Sequence, residues 1–130
     1  MITGAGIDIV SVARIDALIR GSGDGFLRRW FTPSEIRYCT GKAMPSQHFA
    51  ARMAAKEAVA KILPSGWDGP LEWKAIEILG SGDGAPSVRL VGRPLALARA
   101  AGLGSIGVSM SHCDAYATAV AFARTEAVET

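Results

Sequence analysis

The chain has 130 residues, 49% of them hydrophobic and 20% charged, with a formal net charge of +2. That is long enough for one domain with its own core, and too nearly neutral for a nucleic-acid binder driven by overall charge. Two cysteines without CxxC spacing, no basic-then-apolar leader and no apolar run of transmembrane length point to a cytoplasmic protein without disulfide framework or membrane span.

Residues 2–10 read as a strand, and Ser11 is placed to cap a helix from Val12 to Ile19. The run Gly21-Ser22-Gly23-Asp24-Gly25 reads as a flexible turn before a short helical segment, Phe26 to Trp30. Thr32-Pro33-Ser34-Glu35 carries a complete helix start, with Thr as N-cap, Pro at the first helical position and Glu closing a capping box; this helix ends near Gly41. Ser46 is the expected cap of the longest helix, Gln47 to Leu63, stopped by Pro64. Leu71 to Leu79 and Ser87 to Val91 read as a hairpin around Gly80–Gly84, followed by an Ala/Leu helix from Arg93 to Ala101. Strands at Ile106–Ser111 and Tyr116–Ala123 flank a His112-Cys113-Asp114 turn. The expected class is α+β, a small antiparallel sheet with helices packed on it, with residues 1–124 as one domain and 125–130 as a frayed tail.

Asp8 sits inside the apolar run Gly6-Ile7-Asp8-Ile9-Val10, where an unpaired buried carboxylate costs several kcal/mol or must protonate. Either it faces water or something positive meets it. In the long helix, Phe49, Met53, Glu57 and Lys61 recur every four residues and share a face. Glu57 therefore borders the buried stripe, either salt-bridged to Lys61 at the surface or, with Asp8 on a central strand, forming a hard-oxygen pair for Mg²⁺. That ion takes one or two protein carboxylates and completes its shell with water and substrate phosphates. Ser109-Met110-Ser111-His112 ends a strand, so His112 either belongs to a polar turn or donates to an anion. A zinc site from Cys39, His48, His112 and Cys113 fits no ligand spacing.

Taken in order, Gly6-Ile7-Asp8-Ile9-Val10 with Arg14-Ile15, then Phe31-Thr32-Pro33-Ser34-Glu35, then Arg52-Met53-Ala54-Ala55-Lys56-Glu57-Ala58-Val59-Ala60-Lys61, then Ser109-Met110-Ser111-His112 closely resemble the holo-[acyl-carrier-protein] synthase group of 4′-phosphopantetheinyl transferases, over about residues 4 to 123. The resemblance implies a homotrimer that moves the 4′-phosphopantetheine arm of coenzyme A onto a serine of an apo-acyl carrier protein and releases adenosine 3′,5′-bisphosphate. It implies that Asp8 and Glu57 hold Mg²⁺ against the pyrophosphate. Glu57 then accepts the serine proton, directly or through a water, and Lys61 supports the phosphates and the leaving group. Arg52, Gly66, Ser111 and His112 match coenzyme A contacts; Arg14 and Arg29, with Phe26 beside them, match the surface that receives the acidic carrier. Two departures stand out: the family's Gly-Thr-Gly-like turn is Pro64-Ser65-Gly66-Trp67 here, and its Gly-Lys-Pro is Gly84-Ala85-Pro86. The alternative is a non-catalytic oligomeric binding domain of the same fold, against which the intact Asp8, Glu57 and Lys61 set argues.

Overall fold

The computed structural model describes residues 1–64, 72–80 and 85–125. In chain order these form β1 (Ile2–Ser11), α1 (Val12–Ser22), α2 (Asp24–Trp30), α3 (Pro33–Thr40), α4 (Pro45–Ile62), a 3₁₀ turn (Trp73–Ala75), β2 (Ile76–Leu79), β3 (Ser87–Leu90), α5 (Gly92–Ala100), β4 (Leu103–His112) and β5 (Tyr116–Thr125). The strands make one antiparallel sheet in the order β1-β5-β4-β3-β2, the α+β architecture expected. β1 is thus an edge strand, not the central one predicted. Among the described residues it pairs with β5 alone, Asp8 opposite Ala119.

α4 lies across β1, β5 and β4. Its alanines make this possible: Ala50, Ala54, Ala55 and Ala58 are fully buried, and small side chains let helix and sheet approach closely. β1 answers with glycine. A Cβ on Gly6 would collide with the Ala58 carbonyl oxygen, so only glycine fits at this contact.

Several boundaries differ from the sequence reading, each for a local reason. The predicted turn at residues 21–25 contracts to one residue: α1 continues to Ser22 and α2 starts at Asp24, separated by Gly23 alone at φ +56°. Its N–H closes α1 on the Ile19 carbonyl at 2.8 Å. Ser46 does not cap α4. Pro45, with its fixed φ, opens the helix, and the Ser46 hydroxyl instead donates to Asp16 Oδ1 at 2.7 Å, tying α4 to α1. The predicted strand from Leu71 is shorter, because Trp73–Ala75 turns as a 3₁₀ helix; Leu71 itself and most of the Gly80–Gly84 turn lie outside the described residues. β5 runs on to Thr125, which pairs with Leu103. Among the described residues no helix is long and apolar enough to cross a membrane.

The Thr32 capping box is present and does more than start α3. Glu35 accepts the Thr32 N–H at 2.9 Å, as a capping box requires, and its Oε1 also accepts Lys56 Nζ at 2.8 Å. Its other oxygen accepts the Ile78 N–H at 3.0 Å. Lys56 is fully buried and donates further to the carbonyls of Ile76 (2.6 Å) and Trp73 (3.0 Å). Burial lowers the Lys56 pKa, and Glu35 opposes that shift. Removing one partner of a buried ion pair strands the other charge, which costs about 3–5 kcal/mol. Lys56→Met should therefore lower the urea unfolding free energy by that order, whereas a loss below about 1 kcal/mol, the scale of an exposed pair, would show the pair to be incidental.

Candidate active site

Along β1 the side chains alternate. Gly6, Asp8 and Val10 turn toward α4, while Ile7 and Ile9 face outward at 67% and 65% exposure. Asp8 is thereby delivered to the helix face that carries Glu57 and Lys61. Lys61 does not pair with Glu57. Its ammonium reaches across to the Ile7 carbonyl at 2.7 Å and Asp8 Oδ1 at 3.2 Å. The Asp8 side chain is only 16% exposed; with both acids ionised its Oδ2 is buried without a hydrogen-bond partner, and only a protonated Glu57 can donate to Asp8. Thr118 holds the strand here by donating to the Asp8 carbonyl at 2.9 Å.

Glu57 responds to the same crowding. Its pKa is pushed up to about 7, first by burial, then by a hydrogen bond to Asp8 and by Asp8's charge, with Lys61 and Arg14 pulling it down. Two acids this close relieve their repulsion by holding a proton or a cation between them. The orphaned Asp8 oxygen and the half-buried Glu57 carboxylate are hard donors suited to Mg²⁺. Among the described residues no group of three or more metal-ligating side chains occurs. Two carboxylates leave most of the coordination shell to water and ligand oxygens, the usual Mg²⁺ arrangement at phosphate sites.

Glu57 opens onto a cleft of about 480 Å³ whose lining includes Arg14, Phe26, Arg29, Trp30 and Met53. The predicted docking residues and the predicted catalytic acid therefore share one cavity. Phe26 is 8% exposed, serving core and cleft together. Arg20 and Arg28 instead make exposed pairs with Asp16 (2.9 Å) and Asp24 (3.9 Å).

On the other side of α4, Arg52 is buried with its guanidinium 4.0 Å from the centre of the Tyr38 ring and its Nε unpartnered. It lines a pocket of about 190 Å³ with His48, Gly80, Met110 and His112. The two imidazoles are 5.1 Å apart, and the His48 pKa is lowered by burial first, then by His112, Arg52 and Lys42. Cationic and imidazole groups converging on one hollow suit an anion. Ser111 lines separate hollows on the outer sheet face, one of them shared with His112, and Gly66 lies outside the described residues. Sequence reasoning passed over His48 as a partner of Arg52, although their four-residue spacing on one helix places them together. Arg52 and Glu57 are five residues apart, about 7.5 Å along the axis, so α4 links an anion pocket to a carboxylate pair.

Residues 4–121 match the sequence profile of the 4′-phosphopantetheinyl transferase superfamily, and the chain belongs to that family of transferases. Its relatives are narrower in kind. The holo-[acyl-carrier-protein] synthase of Moorella thermoacetica is 47% identical over 117 residues, 90% of each chain; that of Geobacter sulfurreducens is 42% identical over 120 residues, 92% of this chain and 95% of the relative. Among solved structures, the holo-[acyl-carrier-protein] synthase of Neisseria meningitidis superposes with a TM-score of 0.82 at 32% identity, covering 96% of this chain and all (100%) of that one. The Helicobacter pylori enzyme in complex with coenzyme A gives 0.78 at 34% identity, covering 93% and 100%.

The raised Glu57 pKa has a thermodynamic consequence. Between the ordinary value of 4.5 and about 7 the folded chain holds a proton on Glu57 that the unfolded chain has released. The contribution to stability is therefore complete below that window and is lost as pH rises through about 7. In metal-free solution Glu57→Gln should flatten the decline of melting temperature across this window. An unchanged pH profile would remove Glu57 as its source.

Proposed function

We propose that the chain acts as a holo-[acyl-carrier-protein] synthase, transferring 4′-phosphopantetheine from coenzyme A to the serine hydroxyl of an apo-acyl carrier protein and releasing adenosine 3′,5′-bisphosphate. The observation that carries this reading is the Asp8–Glu57 carboxylate pair, with an orphaned oxygen on Asp8 and Lys61 beside it, at the edge of a cleft lined by Arg14 and Arg29.

The serine oxygen attacks the phosphorus that bears the pantetheine arm, and the bond from that phosphorus to the bridging oxygen breaks. The proton leaves the serine and negative charge collects on the departing bisphosphate. Such transfer depends on positioning and on neutralising charge. Asp8 and Glu57 would hold Mg²⁺, which supplies charge neutralisation to the pyrophosphate when bound. Glu57 is also the acid that faces the cleft, and it receives the serine proton directly or across one water. Lys61, anchored at Ile7 and Asp8, offers its charge to a phosphate oxygen and to the leaving group. Arg52 and His112 take the nucleotide end, where the unpartnered Nε and the neighbouring His48 make an anion pocket. Ser111, at the end of β4, is a further coenzyme A contact in this reading, and Gly66 carries that assignment from the sequence pattern alone.

Arg14 and Arg29 receive the acidic carrier beside Phe26, steering it so that its serine enters at Glu57. The outer sheet face supports a homotrimer: Ile7 opposite Val120 and Ile9 opposite Thr118 leave an apolar patch, continued by Tyr116, that a second copy would cover. A neighbour seated there would border Ser111 and His112. The free thiols Cys39 and Cys113 accord with a cytoplasmic setting.

Incubation with coenzyme A, Mg²⁺ and apo-carrier should add the phosphopantetheine mass to the carrier by mass spectrometry; absence of any gain across several carriers would refute the reading. Asp8→Ala and Glu57→Ala should each lower kcat/KM by about 10²-fold or more, the scale of removing one electrostatic stabiliser. Arg14→Glu should raise the KM for the carrier well beyond that for coenzyme A, and equal rises would move Arg14 out of the docking surface.

A further inference from the structure

One wall of the cleft is α2, which carries Phe26 and Arg29; Phe26 and Leu27 bury one side of it in the core, and little else within α2 holds it in place. It is seven residues long, and its N-cap Gly23 provides no side-chain bond. A helix that short does not persist without tertiary packing. Its Asp24–Arg28 pair is exposed on both sides at 3.9 Å and stabilises it little. At its C-terminal end, however, the Trp30 ring stacks on Trp73, centroids 4.5 Å apart and planes 15° from parallel. Trp30 in turn lies 6.3 Å from Phe26, so the stack and the cleft residue belong to one aromatic row.

Trp73 is itself fixed by its backbone. Its carbonyl accepts the buried Lys56 ammonium at 3.0 Å, and Lys56 is the residue before Glu57 on α4. The tryptophan ring is absent from the cleft lining, whereas Trp30, Phe26, Arg29 and Glu57 are all in it. We propose that Trp73 is a positioning residue for carrier docking: its indole fastens α2 to the Lys56 anchor so that Phe26 and Arg29 stand at a set distance from Glu57. The proposal rests on the docking role assigned to α2 above. Because the Lys56 bond uses the carbonyl and not the ring, changing the side chain uncouples α2 while leaving the anchor in place.

The test is steady-state kinetics of the full chain with apo-carrier, coenzyme A and Mg²⁺. Trp73→Leu should raise the KM for the carrier by about three- to tenfold, the range expected for a lost aromatic stack. It should leave kcat and the KM for coenzyme A within about twofold, a split that general weakening of the fold would not produce. Loss of the Trp30–Trp73 exciton couplet in circular dichroism reports that the stack is gone, and Trp73→Phe should restore most of the carrier affinity. An unchanged carrier KM with the couplet lost overturns the proposal, as does a parallel loss in both substrates that follows melting temperature. Should Trp73→Leu not fold, Trp73→Met decides in its place: it removes the ring, so the carrier KM must rise selectively, and an unchanged carrier KM overturns the proposal. Arg29→Glu separates the two readings. If it raises the carrier KM and Trp73→Leu does not, positioning by Trp73 is refuted; if neither does, the docking role of α2 falls and takes the proposal with it.

Discussion

The buried Lys56–Glu35 pair is the contact through which the helical layer and the sheet agree on position. Both side chains are fully enclosed, and charges are kept there only when paired and hydrogen-bonded. Both conditions hold. Glu35 accepts from Thr32, Lys56 and Ile78, and Lys56 donates to Glu35, Trp73 and Ile76. One pair thus joins the start of α3, the middle of α4, the 3₁₀ turn and β2. It also fixes the rotation of α4 about its own axis. With Lys56 directed inward, His48 and Arg52 follow on its row while Phe49, Met53, Glu57 and Lys61 occupy the next. The anion pocket and the carboxylate pair are two rows of one helix held in a single orientation.

Rotation alone would not make a site, since Asp8 comes from another element. The spacing between β1 and α4 is set by Gly6, two residues before Asp8, against the carbonyl of Ala58, the residue after Glu57. At that separation two acids face each other in a partly enclosed space with one lysine between them and the edge of the sheet. The outcome is a raised Glu57 pKa and a carboxylate oxygen without a partner. Both are local costs in the free chain, and both would be relieved by a cation held between the two acids. Strain of this kind at a site is what electrostatic preorganisation looks like before the ligand arrives.

What the sequence made legible follows from how far apart the cooperating residues lie. The capping box, the long Ala-rich helix and the shared face of Phe49, Met53, Glu57 and Lys61 involve separations of three or four residues, and all are present, although Pro45 and not Ser46 opens the helix. The Asp8 misfit was also readable, since a charge in an apolar strand calls for a partner wherever the strand sits. Its position at the sheet edge was not, because strand order depends on pairings more than 100 residues apart. Local sequence gives Lys56 no partner. Only the fold brings it to Glu35, 21 residues away, and to the carbonyls of Trp73 and Ile76. That same demand explains the shortened hairpin strand: the carbonyls around Trp73 bend inward to satisfy an ammonium, which local β-propensity does not foresee. Gly23 shortens the expected turn, since one residue at positive φ is enough to separate two helices.

Lys61 shows why the edge position of β1 matters chemically. An edge strand exposes unpaired backbone groups and must be protected from pairing with other chains. Here the Lys61 ammonium sits on the Ile7 carbonyl and on Asp8 together, so one charge covers part of the edge and offsets the acid beside it. Had β1 been central, a second strand would have occupied that flank and left no approach to the Asp8 oxygen except through α4. At the edge, the carboxylate pair remains open to a polyanionic ligand arriving from solvent. Lys61 can swing from a carboxylate toward a phosphate without unpacking anything, because its side chain is half exposed while Asp8 is not. The exposed position of the strand is therefore a condition of the site, and the apolar face it leaves uncovered, Ile7 and Ile9, is the cost that association of subunits would remove.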